Sequence, residues 1–123
     1  MTTGIIVFAH GSRIESANQA VRGVVAAMLR PHGPYEHVEA AFLELGEPDL
    51  AGAATRLAGA GVGRILVIPY FLTLGLHMER DLPRLVEETA SRFPGVEFLV
   101  SPPLDGHPAL AQILIDRARE ALG

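Results

Sequence analysis

Three residues of this chain pair useful chemistry with telling positions: His10 in "FAHGSR", Glu44 in "AFLELGEPDL" and His77 in "TLGLHMER". Imidazole nitrogen and carboxylate oxygen are ligands for divalent transition metals, and both can carry protons near neutral pH. Each of the three stands at or just beyond the end of a short run rich in Val, Ile or Phe. A lone histidine on a loop is ordinarily a surface or hydrogen-bonded residue. Two histidines and a carboxylate on one edge of a sheet are instead a candidate metal or proton-transfer site. The other histidines read as structural: His32 beside the expected end of the first helix, His37 at the start of an outer strand, and His107 in the loop that opens the last helix.

Composition removes several other chemistries. The chain has no cysteine, so disulfides, thiolate metal sites, iron–sulfur clusters and thiol nucleophiles are all excluded. "HGS" lacks the G-x-S-x-G elbow of serine hydrolases, and Ser12, three residues before Glu15, reads as a helix cap. Ala9 stands where histidine phosphatases place the arginine that grips phosphate. Neither Gly-rich phosphate-binding motif is present, which leaves nucleotide binding unsupported. The net charge is −4 and the pI near 5.7, with all ten basic residues arginine and no basic run. That pattern lacks the electrostatic footprint of a nucleic-acid partner. No apolar run reaches the roughly 18 to 20 residues of a membrane span. "MTTGIIVF" has no basic n-region of a signal peptide, so the expected compartment is the cytoplasm.

The elements that must position these residues follow from periodicity. "GIIVFA" (4–9), "HVEAAFLE" (37–44), "RILVIPYF" (64–71) and "VEFLV" (96–100) read as strands. The first and third are apolar nearly throughout, as strands covered on both faces are. Ala17, Val21, Val24, Val25, Met28 and Leu29 fall on one helical stripe, and an Ala- and Gly-rich helix follows at 49–60. Leu82, Leu85, Val86, Thr89 and Phe93 make a third helix with Pro83 in its first turn, and Leu110, Ile113, Leu114, Ala118 and Leu122 make the last. With 123 residues and 49% hydrophobic content, one domain spanning 1–123 is expected. Strict β-α alternation predicts an α/β fold: a four-stranded parallel, doubly wound sheet with helices on both faces, in the flavodoxin-like order 2-1-3-4. Ligands of such sheets bind beyond the carboxyl ends of the strands, at the switch in strand order. His10 and His77 would then face each other across that switch point, with Glu44 on the same edge.

"FAHGSR", "AFLELGEPDL", "ILVIPYFLTLGLHMERDLP" and "PPLDGHP" together resemble the small, single-domain sirohydrochlorin cobaltochelatases of cobalamin and sirohaem biosynthesis. The resemblance covers nearly the whole chain in order. It implies ATP-independent insertion of a divalent metal, cobalt first and nickel or iron next, into sirohydrochlorin or a related tetrapyrrole. The metal is then a substrate, and no cofactor is bound permanently. Carried over residue by residue, His10 and His77 would hold the metal and accept pyrrole protons, with Glu44 completing the ligation or taking a proton onward. Arg13 and Arg80, each three residues after a site histidine, are candidates for pairing with substrate carboxylates. A domain this small offers little wall around a flat macrocycle, so a homodimer is expected. The alternative is a carrier of metal or tetrapyrrole that catalyses nothing.

Overall fold

The computed structural model describes residues 1–123. Strands and helices alternate strictly: β1 (Thr3–Ala9), α1 (Glu15–Met28), β2 (Val38–Phe42), α2 (Leu50–Gly59), β3 (Arg64–Pro69), α3 (Leu76–Ala90), β4 (Glu97–Val100) and α4 (Ala109–Leu122). All strand pairs are parallel and the order is β2-β1-β3-β4. The strand order therefore reverses between β1 and β3, as the alternation predicts.

Alternate residues of each strand feed opposite faces. Ile6, Phe8, Ala41, Ile65 and Val67 join Leu50, Ala53, Ala54 and Leu57 of α2 and Leu82 and Val86 of α3 in one core layer. Ile5, Val7, Ala9, Val38, Ala40 and Phe42 meet Val21 and Val25 of α1 in the other. Phe8, Phe42, Ile6, Ile65 and Leu82 are wholly enclosed, and burial of each stabilises the fold by about 1.5–3 kcal/mol. Stability thus resides in β1, β3 and their flanking helices, next to the edge that carries His10.

Four local expectations change. Strand β2 stops at Phe42, so Glu44 lies beyond the strand on a turn. Helix α1 begins at Glu15 with Ile14 as its N-cap, and the Ser12 hydroxyl instead accepts a hydrogen bond from the Ile14 N–H at 3.0 Å. The capping box does not form because Ser12 lies two residues upstream of the N-cap position. Helix α3 begins at Leu76, which puts Pro83 inside it and His77 in its first turn. Its start is set by Gly75, the N-cap, whose backbone is extended. No residue of α4 is buried, and of its apolar stripe only Leu110 is partly covered. No helix is long and apolar enough to cross a membrane.

Candidate functional site

The β1–β2 ladder does not stop where the strands do. Beyond the Ala9–Phe42 pair, Leu43 N–H donates to Ala9 C=O at 2.9 Å and Glu44 N–H donates to His10 C=O at 3.1 Å. Gly11 makes this approach possible. Its φ is +94°, and a Cβ there would sit 1.7 Å from the Glu44 carbonyl oxygen, so only glycine fits. The outcome is a side-chain pair, His10 Nε2 to Glu44 Oε1 at 3.6 Å, with the two side chains 53% and 57% exposed. That spacing is too long for a hydrogen bond, and both groups stand open to solvent.

One buried polar side chain fixes the two loops against each other. Asn18 is 1% exposed. Its Oδ1 accepts from Ser12 N–H at 2.9 Å, and its Nδ2 donates to Ser12 C=O and Leu45 C=O, both at 2.9 Å. The Glu15 carboxylate accepts a longer bond from the same Nδ2 at 3.3 Å. Asn18 therefore ties the loop after β1 to the loop after β2, the loops that carry His10 and Glu44. The apolar periodicity of α1 points to Ala17 instead, which is exposed. The buried stripe is Asn18, Val21 and Val25, at the same helical spacing, and an amide on that stripe was the signal to find.

Arg22 adds a second brace to these loops. Its guanidinium donates to Glu15 at 2.7 Å and to Glu47 C=O at 2.9 Å, and it stacks over the Phe42 ring at 5.1 Å. The Arg22 hydrogen bond, helped by Asn18, holds the Glu15 carboxyl below its usual 4.5.

His77 lies in the first turn of α3 and is exposed. The structure brings His10 and Glu44 together and does not add His77 to them: no cluster of three metal-binding side chains forms. Arg80 follows His77 by three residues on the same helix, hence on the same face. Arg13 and Arg80 are exposed and engage no carboxylate, unlike Arg22, Arg30, Arg56 and Arg117. His107 Nδ1 accepts from Ala109 N–H, the first of α4, at 3.0 Å, while the N-cap position itself is Pro108. Neither His10 nor His77 lines a cleft.

The site is a shelf, and its margin is apolar. Ile14, Leu43, Leu45, Leu72 and Leu76 stand exposed just beyond the strand ends. Leu45 is the one non-glycine residue with a positive φ, at 57°. Such a backbone costs a leucine of order 1–3 kcal/mol and is characteristic of functional sites. The Asn18 bond to its carbonyl helps hold it there. An isolated apolar loop residue carries no periodic signal, so the sequence does not mark these five.

The sequence profile of the CbiX family matches residues 4–121. The chain is 31% identical to the sirohydrochlorin cobaltochelatase of Methanopyrus kandleri, over 97% of this chain and 96% of that protein. It is 34% identical to the chloroplastic sirohydrochlorin ferrochelatase of Arabidopsis thaliana, covering 97% of this chain but only 52% of the plant protein. Its fold superimposes on the sirohydrochlorin chelatase SirB of Bacillus subtilis, in complex with cobalt, with a TM-score of 0.87 and 25% identity, covering 98% of this chain and 51% of SirB. The chain thus spans nearly the whole of the archaeal relative and about half of the plant and Bacillus ones. Matched from its first strand to its last helix by that profile, it belongs to the CbiX family.

Proposed function

We propose that this chain is a sirohydrochlorin chelatase, which inserts a divalent metal into the tetrapyrrole without ATP. The observation that carries the reading is the exposed His10–Glu44 pair at 3.6 Å on the carboxyl edge of the sheet. Metal–ligand bonds of about 2.1 Å would let both donors reach one ion, subtending roughly 120° there. That angle is wide enough for either a tetrahedral or a more open geometry, and it leaves positions for the macrocycle nitrogens.

Insertion exchanges one M²⁺ for two pyrrolic protons, so the site must accept two protons as the ion leaves it. An imidazole and a carboxylate that coordinate a metal each regain a lone pair when they release it, so His10 and Glu44 can each take one proton and pass it to the open solvent around the shelf. His77 approaches from α3 as the further ligand or base. The exposed leucines supply an apolar surface for the ring, and Arg13 and Arg80, unpaired in the free protein, supply cations for its carboxylates. Cobalt is the metal of choice in this reading, the reaction belongs to the cytoplasm, and residues 1–123 act as one lobe of a two-copy enzyme. Family membership and the names of the relatives support the chelatase assignment.

The test is anaerobic. Sirohydrochlorin and excess cobalt are followed by visible absorption with limiting protein, against the His10→Ala, His77→Ala double variant. The natural chain is expected to give many turnovers above the spontaneous rate and the variant none. Equal rates in both would remove the histidines from the mechanism. At most one metallated product per chain would make the protein a carrier.

A further inference from the structure

The ladder that carries His10 and Glu44 past the ends of β1 and β2 has a counterpart on the other half of the sheet. Strands β3 and β4 stay paired as far as Val67 and Val100, and Ser101 N–H then donates to Val67 C=O at 3.0 Å. Pro102 and Pro103 have no N–H with which to continue. Pairing resumes beyond them: Leu104 N–H donates to Phe71 C=O at 3.1 Å and Asp105 N–H to Leu72 C=O at 2.7 Å. On both halves, two consecutive N–H groups of the loop after an outer strand hold the loop after its inner neighbour. Leu43 and Glu44 do this for Ala9 and His10, and Leu104 and Asp105 for Phe71 and Leu72.

The second pair of bonds holds the loop that leads to His77. Phe71 has a side-chain anchor as well, its ring lying edge-on to that of Phe8 at 6.4 Å. Leu72 has none: its side chain is 64% exposed, and the residue is fixed through its carbonyl. No other backbone hydrogen bond reaches residues 71–75 from outside α3. The Leu72 carbonyl is thus the last backbone tie before Leu76 opens the helix, and His77 is the residue that follows. A shift at Leu72 is passed on to that imidazole.

The donor loop is shaped to present those N–H groups. Leu104 C=O accepts from His107 N–H at 3.2 Å, which closes a four-residue turn. Gly106, its third residue, has a φ of +79°, whereas Asp105 before it has no positive φ. That combination is a type II turn, whose third position suits glycine and excludes a β-branched side chain. His107 Nδ1 accepts from Ala109 N–H and fixes the exit of the turn. We propose that the Leu104–His107 turn is a positioning element for His77, with the Asp105 N–H as its contact and Gly106 as the residue that permits it. The inference rests on the chelatase reading above and deepens it: the turn sets how close His77 stands to an ion held by His10 and Glu44.

Asp105→Pro isolates the bond. Proline is favoured at the second position of a type II turn, so the turn is kept and only the N–H to Leu72 is lost. Cobalt(II) alone is titrated into the natural chain and the variant, and the histidine ring protons are followed by NMR, because broadening by the paramagnetic ion falls steeply with distance. In the natural chain the His10 and His77 rings should broaden together. In Asp105→Pro the His10 ring should broaden as before, which also shows that the variant is folded, while His77 loses most of its broadening. With sirohydrochlorin present, kcat is expected to fall about 10- to 100-fold, the result of a reacting group misplaced by about 1 Å, with KM little changed. Gly106→Val is the second arm and decides the matter if the proline variant does not fold; it should show the same loss at His77, and Gly106→Asn, which tolerates a positive φ, should restore most of it. Equal broadening of His77 in all forms, an asparagine variant as impaired as the valine one, or a natural chain whose His77 ring ignores cobalt would each overturn the proposal. A natural chain that broadens both rings yet gives no turnover would end the chelatase reading and leave the placement of His77 standing.

Discussion

Replacing Asn18 by Leu removes the brace between the two site loops while keeping the number and branching of the side chain's heavy atoms. The natural amide makes three bonds of 2.9 Å to backbone groups of Ser12 and Leu45. At about 0.5–1.5 kcal/mol net per bond, their loss costs roughly 3 kcal/mol, with part of it recovered where water reaches the orphaned groups. For a domain of this size each kcal/mol corresponds to about 4 °C, so the thermal midpoint should fall by roughly 10 °C. Circular dichroism measures that fall. The mechanistic consequence is read separately, by titrating cobalt into both proteins well below either midpoint, where each is fully folded. There the variant should bind at least about tenfold more weakly, because His10 and Glu44 no longer hold their 3.6 Å spacing and ordering them costs on the order of 1.4 kcal/mol. Asn18→Asp sharpens the test, since a carboxylate can accept from Ser12 N–H but has no N–H for the two carbonyls. A midpoint within 2 or 3 °C (about 0.5 kcal/mol) of the natural protein, together with unchanged cobalt affinity, would refute the bracing argument.

Arg13→Ala and Arg80→Ala should each weaken sirohydrochlorin binding at low salt by about two- to fivefold, the usual worth of an exposed ion pair. The loss should shrink at high ionic strength, and fluorescence titration at two salt concentrations measures both effects. Glu15 should titrate below 4.5 by NMR in the natural protein and return toward 4.5 in Arg22→Ala. A carboxyl whose folded pKa is depressed stabilises the fold above its unfolded pKa, and the contribution is lost as pH falls through the folded value. Arg22→Ala should accordingly lose stability at neutral pH and show a flatter acid limb below about pH 4.5 in the same denaturation series.

The strand order, the carboxyl edge and the placement of His10 and Glu44 on it were legible because strands β1 and β3 are apolar nearly throughout and the chain alternates without exception. What escaped sequence reasoning was local and geometric. No pattern of residue types says that Gly11 lets the β1–β2 ladder run on past the strands, or that Leu45 adopts a positive φ to stand exposed at the margin. Asn18 was hidden by a shift of one residue in the helical stripe, which exchanges Ala17 for an amide. Pro83 misled in the opposite direction: it suggested a helix start, whereas α3 runs through it from Gly75. The exposure of α4 was unreadable for a different reason. Its stripe is that of a packed helix, and periodicity does not say whether anything covers it.

That proline also divides the site by stiffness. Without an N–H, Pro83 cannot donate to the carbonyl of Glu79, so the helical ladder is interrupted one turn beyond His77. The buried anchors of α3, Leu82, Val86 and Thr89, all lie from Leu82 onward. Residues 76–81, with His77 and Arg80 among them, touch the core only through the partly buried Met78, while His10 and Glu44 sit on a ladder held by Asn18 and Arg22. One half of the shelf rests on a continued strand ladder and the other on a helical turn that lacks the bond to the Glu79 carbonyl, so of the two histidines His77 has the weaker backbone support.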